Sequence, residues 1–243
     1  MKRRIFTHWW PLIKLKIIGT YETFFGKGVI PKKYFAQFLP ENPIILEAGA
    51  HKGKDTVEMA MLWPAGLIHA FEPVPDLFRL LENNTRNLKN VHCYQFALGN
   101  TKGSETLFVS SGASDGSSSL LPPKELLNSF PTVYFDKELS VNTITLDEWA
   151  RENNVTKIDF MWLDLQGMEL MVLKSGINLL KTVSAIYTEV SSSEIYEGQT
   201  LYSDLKGWLL SNGFKIEREE VEKGTGNVFF INIDSDGDGI YGK

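Results

Sequence analysis

Residues 47–56, EAGAHKGKDT, follow directly on the apolar run PIIL at residues 43–46. A carboxylate and two glycines directly after a buried strand are not what a simple connecting turn requires. Glycine lets a backbone come close to a bound molecule, because it has no side chain to obstruct the approach. We therefore interpret this turn as part of a ligand site, and the rest of the chain indicates which ligand it binds.

The composition is that of an ordinary globular protein, with 43% hydrophobic and 23% charged residues among 243. The single cysteine, Cys93, excludes an internal disulfide and a thiolate zinc cluster. No run approaches the roughly 20 apolar residues of a membrane span. Pro11 and Lys14 interrupt the apolar stretch that a secretory signal would need after its basic start. We therefore expect a cytoplasmic protein.

Charge is unevenly distributed along the chain. Residues 1–40 carry a net charge of +7, which leaves −12 for the other 203 residues. We expect residues 1–40 to be a basic, aromatic helical extension that packs against the domain with its lysines in water. Contact with an anionic membrane surface is the alternative, since basic residues and aromatics suit such a surface.

After residue 40, short apolar runs alternate with helical patterns. This alternation is typical of parallel strands covered by helices on both faces. It predicts an α/β fold with a doubly wound, mostly parallel seven-stranded sheet, closed by an antiparallel hairpin over 214–233. The predicted strands are 44–46, 67–71, 91–97, 158–163, 183–190, 214–219 and 227–233.

The domain is expected to span residues 41–233. Within it, residues 110–123 (SSGASDGSSSLLPP) are rich in Gly, Ser and Pro, so we interpret 110–140 as a lid or acceptor-binding loop. Residues 234–243 begin like a calcium loop, but the bidentate glutamate at its twelfth position would fall beyond residue 243. We therefore interpret residues 234–243 as an acidic tail.

Four predicted strands end in acidic residues, and the first of these ends also carries glycines. These residues are Glu47, with Gly49, His51 and Gly53 after it, then Glu72, Asp164 and Glu189. Ligands of doubly wound sheets bind beyond the carboxyl ends of the strands, where the strand order reverses. The sequence therefore predicts a polar site at this edge.

The glycine turn favours S-adenosylmethionine over NAD. It lacks the third glycine of the dinucleotide fingerprint, and a carboxylate at Glu47 would repel a pyrophosphate but suit an amino group or a sulfonium. Glu72 could accept both hydroxyls of a ribose, and Gln95 and Phe96 could border the adenine. A short-chain dehydrogenase is the alternative, because Tyr202 and Lys206 match its Tyr-x-x-x-Lys pair.

Several segments together resemble the FkbM family of S-adenosylmethionine-dependent methyltransferases. The resemblance covers about residues 43–192 in the right order. The matching residues are Glu47-x-Gly49-Ala50-His51-x-Gly53-x-x-Thr56, Ala70-Phe71-Glu72-Pro73-x-Pro75, Asn83, Ala97-Leu98-Gly99, Thr145-Leu146-Asp147, Asp164-Leu165-Gln166-Gly167-x-Glu169-x-x-Val172-Leu173-x-x-Gly176, and Glu189.

This resemblance implies a class I methyltransferase fold and O-methylation, often of sugar hydroxyls in glycans or natural products. It adds Ala50, Thr56, Pro73 and Ala97 to the cofactor-binding candidates and places Asp164 and Glu169 in the family's motif after the fourth strand. The family commonly has Lys at the position of Trp162 and Glu at that of Gln166. These departures indicate a different acceptor or base.

Catalysis requires that the acceptor oxygen be held against the methyl group and lose its proton. Asp164, Glu169, Glu189 and His51 are the candidates, with Asp164 also near the cofactor. Asp164 and Glu189 could also hold Mg²⁺, and the metal is left unassigned. A small-molecule or glycan acceptor is expected, and no nucleic acid. The alternative is a non-catalytic module whose basic N-terminus binds a membrane or a glycan.

Overall fold

The computed structural model describes residues 30–233. The predicted features of residues 1–29, and the acidic tail at 234–243, lie outside this range. Over residues 30–233, no helix has the length and apolar character required to cross a membrane.

A seven-stranded sheet forms the centre of the fold, in the order β3-β2-β1-β7-β8-β10-β9. Strand β10 runs antiparallel to both of its neighbours, and the other neighbouring pairs are parallel. The strands are β1 (Ile44–Ala48), β2 (Leu67–Phe71), β3 (Val91–Tyr94), β7 (Phe160–Leu163), β8 (Ala185–Ser191), β9 (Phe214–Glu222) and β10 (Thr225–Asn232). The predicted doubly wound sheet and its closing hairpin are confirmed.

A second, three-stranded sheet has the order β4-β6-β5. Its strands are β4 (Ala97–Leu98), β5 (Gly103–Gly112) and β6 (Val133–Ile144), and β6 pairs antiparallel with β5. The expectation of a loop over 110–140 was therefore wrong for much of that range. Residues 134–140 (YFDKELS) are mostly exposed, so β6 lacks the alternation of apolar and polar residues that signals a half-buried strand.

The helices lie between the strands, as the alternating pattern predicted. They are α1 (Lys32–Phe35), α2 (Lys54–Leu62), α3 (Pro75–Thr85), α4 (Leu126–Ser129), α5 (Leu146–Glu152), α6 (Glu169–Lys174), α7 (Ile177–Leu180) and α8 (Tyr202–Ser211), with a 3₁₀ turn at Ala36–Phe38 after α1. Helices α6 and α7 are separated by Ser175 and Gly176. A Cβ at Gly176 would collide with the side chain of Leu146, so the glycine lets the start of α5 pack closely against this break.

The two faces of the large sheet bury separate hydrophobic clusters. Successive strand residues point to opposite faces, so Leu46 packs with α5 to α8 while Ile45 packs with α1 to α3. Phe35 of α1 is fully buried in the second cluster, with its ring centroid 5.2 Å from those of Phe160 and Tyr187 and 4.8 Å from that of Phe229. Ile30, Phe35 and Leu39 thus contribute buried side chains to the core, so this end of the basic extension packs against the domain.

Substituting Phe35→Ala should lower the free energy of unfolding by about 3–5 kcal/mol, because it removes a ring from a closed cluster. Lys33→Ala is the matched control, since Lys33 is exposed in the same helix and should change stability by less than about 0.5 kcal/mol. Urea denaturation of both variants checks this. Equal stability of the two variants would show that α1 does not contribute to the core.

Candidate active site

The glycine turn after β1 is shaped by a close approach to the end of β7. Gly49 has φ +86°, and a Cβ there would collide with the Asp164 carbonyl oxygen. Gly53, with φ +79°, precedes α2, and a Cβ there would lie 2.6 Å from Leu81 Cδ1. Both positions therefore need glycine for conformation and for space, which accounts for the motif in physical terms.

Glu72 links this turn to the end of β2. Its Oε2 accepts a hydrogen bond from the His51 backbone N–H at 2.9 Å, and its Oε1 accepts one from the Val74 N–H at 2.8 Å. Burial raises the pKa of Glu72 to about 7, against the opposing effect of the two N–H groups. The carboxylate is thus fixed in orientation beside the turn, and each oxygen keeps a second lone pair for a ligand.

Glu47 and Thr56 contact each other. Thr56 Oγ1 donates to Glu47 Oε2 at 2.6 Å, and the two residues are 1% and 0% exposed. Burial raises the pKa of Glu47 to about 8, although Thr56 and Lys32 lower it. This geometry does not support the expected direct contact of either side chain with a cofactor. Their hydrogen bond instead links α2 to β1 and so stabilises the turn between these two elements.

Two acidic side chains meet at the ends of β7 and β8. Gln166 Nε2 donates to Asp164 Oδ1 at 2.6 Å and to Glu189 Oε2 at 2.8 Å. Burial and the neighbouring Asp164 raise the pKa of Glu189 well above its usual value. The side chain of Asp164 is exposed to solvent. The surrounding protein still raises its pKa through desolvation, and the hydrogen bond from Gln166 lowers that pKa in part. The strand ends therefore bring together two predicted catalytic carboxylates.

The amide of Gln166 is fixed on its other side by Tyr196. The Tyr196 hydroxyl lies 2.9 Å from Gln166 Oε1 and 2.7 Å from the Ser117 carbonyl oxygen, and it can donate to either. Ser119 Oγ also donates to the Gln166 carbonyl oxygen at 2.9 Å. The sequence did not predict this network, because Tyr196 and Ser117 lie in segments without a recognisable motif. Of these residues, only Gln166 stood out in the sequence, because it departs from the family pattern.

Asp115 connects the loop after β5 to the glycine turn. Its carboxylate forms an ion pair with Lys52, and its Oδ1 lies 3.1 Å from His51 Nε2. Burial lowers the pKa of His51, although Asp115 acts in the opposite direction. The sequence singled out the loop but not this aspartate. The contact places the loop against the predicted cofactor turn.

The other predicted site residues have mixed environments. Glu169 Oε1 accepts hydrogen bonds from the backbone N–H groups of Leu165, at 3.0 Å, and Gly167, at 3.3 Å, while burial raises its pKa to about 7. Glu169 thus stabilises the loop that carries Gln166, in keeping with its place in the first turn of α6. Ala50 and Ala97 are buried, Pro73 and Phe96 are partly buried, and Gln95 is exposed after β3.

The structure provides no evidence for a metal centre in its described part. Residues 30–233 contain no group of three or more His, Cys, Asp or Glu side chains placed to hold a metal ion. The Gln166 amide nitrogen donates to both Asp164 and Glu189, the pair that the sequence had suggested as Mg²⁺ ligands. This pair is therefore bridged by a side chain of the protein itself.

Comparison with known proteins identifies the family of the chain. The family model described as the methyltransferase FkbM domain matches residues 47–216. The chain is 33% identical over 163 residues to the 2-O-methyltransferase NoeI of Sinorhizobium fredii, covering 65% of this chain and 67% of NoeI. It is 30% identical over 124 residues to the hexuronic acid methyltransferase AglP of Haloferax volcanii, covering 51% of this chain and 46% of AglP.

Among solved structures, the fold is similar to that of a fibrillarin pre-rRNA processing protein of Methanococcus jannaschii, with a TM-score of 0.50 and 17% identity. The superposition covers 85% of this chain and 70% of the fibrillarin. At this identity the likeness concerns the fold alone, and it agrees with the expected class I methyltransferase architecture.

Substituting Gly49→Ala should weaken cofactor binding at least tenfold and lower the melting temperature by several degrees. The positive φ costs a non-glycine residue roughly 1–3 kcal/mol, and the β7 backbone must also move. Gly103→Ala is the matched control, because a Cβ there meets nothing within 4 Å. Calorimetric titration with S-adenosylhomocysteine checks this, and an unchanged affinity for the Gly49 variant would contradict the prediction.

Substituting Asp115→Asn should speed the release of S-adenosylhomocysteine by a factor of about two to five. The variant loses the partly exposed ion pair with Lys52, and such a pair contributes roughly 0.2–1 kcal/mol. Asp136→Asn removes an exposed carboxylate from β6 and should leave the rate unchanged. Stopped-flow measurement of the dissociation rate compares the two. Equal rates would mean that the loop does not retain the cofactor.

Proposed function

The chain belongs to the FkbM family of S-adenosylmethionine-dependent methyltransferases, and we propose that it transfers a methyl group to a hydroxyl of a sugar or glycan. Two relatives carry names of this kind, a 2-O-methyltransferase and a hexuronic acid methyltransferase. The observation that carries the proposal is the pairing of Asp164 and Glu189 through Gln166, because a hydroxyl acceptor must give up its proton to a nearby base.

The residues of the glycine turn suit the cofactor. Gly49 and Gly53 let the turn pack closely against Asp164 and Leu81, and Glu72 offers a fixed carboxylate whose free lone pairs match the two hydroxyls of a ribose. Ala50, His51, Pro73, Gln95, Phe96 and Ala97 complete the proposed cofactor set, and Glu47 and Thr56 support it indirectly. When bound, S-adenosylmethionine supplies a methyl group on a sulfonium, which an oxygen nucleophile can attack in line.

Asp164 is the proposed proton acceptor. The two carboxylates share an environment in which Glu189 holds a proton more tightly, because it is more enclosed and lies next to Asp164. The pair therefore keeps one proton on Glu189 and one negative charge on Asp164. Asp164 is the exposed member, so it can reach an acceptor hydroxyl and take its proton as the oxygen attacks.

The other two catalytic candidates receive supporting roles. His51 lies against Asp115, and burial lowers its pKa, so it is proposed to hold the loop and line the cofactor turn. Glu169 is proposed to fix the Gln166 loop through the two backbone N–H groups it accepts. The cytoplasmic location and the membrane contact of residues 1–40 stay predictions.

The function is tested by incubating the protein with S-adenosylmethionine and a panel of monosaccharides, uronic acids and glycosides. Mass spectrometry should detect a 14 Da increase on a hydroxyl. Asp164→Asn should reduce the rate roughly 10²- to 10⁴-fold, the usual contribution of a general base. A rate within a few-fold of the parent would exclude Asp164 as the base, and methylation at nitrogen or carbon alone would overturn O-methylation.

The pH dependence distinguishes the two carboxylates. Activity of the parent should rise with pH as Asp164 loses its proton, through a pKa above the ordinary carboxyl range because burial raises the pKa of Asp164. Glu189→Gln keeps the shape of a protonated glutamate but removes its ionisation. This variant should stay active at neutral pH, and its acidic limb should not move to lower pH, because Glu189 is already neutral when Asp164 ionises and its hydrogen bond lowers the pKa of Asp164. A limb that moves to lower pH, or a loss equal to that of Asp164→Asn, would assign the base differently.

A further inference from the structure

A cavity lies beside the carboxylate pair, between the ends of β7 and β8, the start of α8 and residues 114–133. Gln166 and Glu189 form part of its wall, and Gln166 also hydrogen-bonds to Asp164, so the cavity lies next to the proposed proton acceptor. Its volume is about 100 Å³. Neither the glycine turn nor Glu72 contributes to its wall, which separates it from the proposed cofactor residues.

Most of the wall is hydrocarbon. The apolar side chains that line it are Leu126, Phe130, Val133, Val190, Ile195 and Leu205. Leu126, Val133, Val190 and Leu205 are each at most 5% exposed, whereas Phe130 is 40% exposed and lies where the cavity opens. An apolar group placed here would therefore be taken out of water, which is favourable in proportion to the area buried.

Several polar groups of the wall are bonded to the protein itself, with the buried Tyr202 hydroxyl as an exception. Gln199 Oε1 accepts from the Tyr196 N–H at 2.8 Å, and Ser191 Oγ donates to the Ser193 carbonyl oxygen at 2.8 Å. Glu169 accepts from its own loop, and Tyr196 bonds to Gln166 or Ser117. A sugar ring buried among the apolar side chains would find few partners for its hydroxyls, and each one left without a partner costs roughly 1–3 kcal/mol.

We propose that this cavity receives an apolar substituent of the acceptor, so that the preferred substrate is a sugar bearing an alkyl, acyl or aryl group rather than a free sugar. This inference rests on the proposed function. The sugar hydroxyl then lies at the polar end, near Asp164, and the substituent lies among the apolar side chains. A cavity of roughly 150 Å³ is known to bind benzene, so this smaller one suits a short chain or part of a ring. A longer chain extends past Phe130.

Binding of alkyl β-glucosides to the protein loaded with S-adenosylhomocysteine tests the inference. Calorimetry with the methyl, propyl, pentyl and heptyl glucosides should show an affinity that rises about fourfold per added methylene and levels off once the cavity is full. Leu126→Phe fills the cavity and should abolish this dependence on chain length. Phe130→Ala, at an exposed position, should weaken only the longer chains, and Leu210→Ala, exposed on α8 outside the cavity wall, should change nothing.

The outcomes separate this inference from the proposed function. The inference would be overturned if affinity did not depend on chain length. It would also be overturned if free and alkylated sugars had equal KM values while O-methylation was measurable. Either result would leave the proposed function standing. Absence of methyl transfer to any hydroxyl would overturn the function. A chain-length dependence that survives in Leu126→Phe and Phe130→Ala would place the alkyl group elsewhere and also overturn the inference.

Discussion

The close approach of the Gly49 backbone to the end of β7 is the constraint on which the site depends. Strands β1 and β7 are neighbours in the sheet but are separated in sequence by two complete strand–helix units and the second sheet. The Asp164 N–H donates to the Ala48 carbonyl oxygen at 3.0 Å, which joins the two strand ends directly. Because β1 lies where the strand order reverses, the turn after it and the carboxylate after β7 meet at the same place.

The second constraint is electrostatic. Asp164 and Glu189 lie at the ends of adjacent parallel strands, where two full negative charges would repel each other strongly in a partly enclosed site. The Gln166 amide reduces this repulsion with two N–H groups and adds no charge of its own, and Tyr196 fixes which end of the amide faces the carboxylates. The burial that raises the pKa of both carboxylates, and that of Glu189 most strongly, favours a pair that shares a single proton.

The sequence predicted the features that depend on local pattern. The short apolar strands, the turn glycines and the acidic strand ends were recognisable, because parallel strands and positive φ impose specific residue types. Strand β6 was missed because its middle is exposed and charged, and the split between α6 and α7 was missed because it arises from packing against Leu146. Asp115 and Tyr196 act through contacts that are distant in sequence, so no pattern near either residue could reveal its role.

The two departures from the family pattern, Trp162 and Gln166, had indicated a different acceptor or base. The structure gives each of them a physical account. Trp162 is 7% exposed and packs against Phe35 and Tyr187, and the Lys32 ammonium lies 4.7 Å from its ring centroid. A lysine from the segment before β1 thus occupies the space beside position 162. Gln166 in turn bridges the carboxylates of Asp164 and Glu189. Neither substitution removes a group that the proposed proton transfer requires, so both are consistent with an active enzyme.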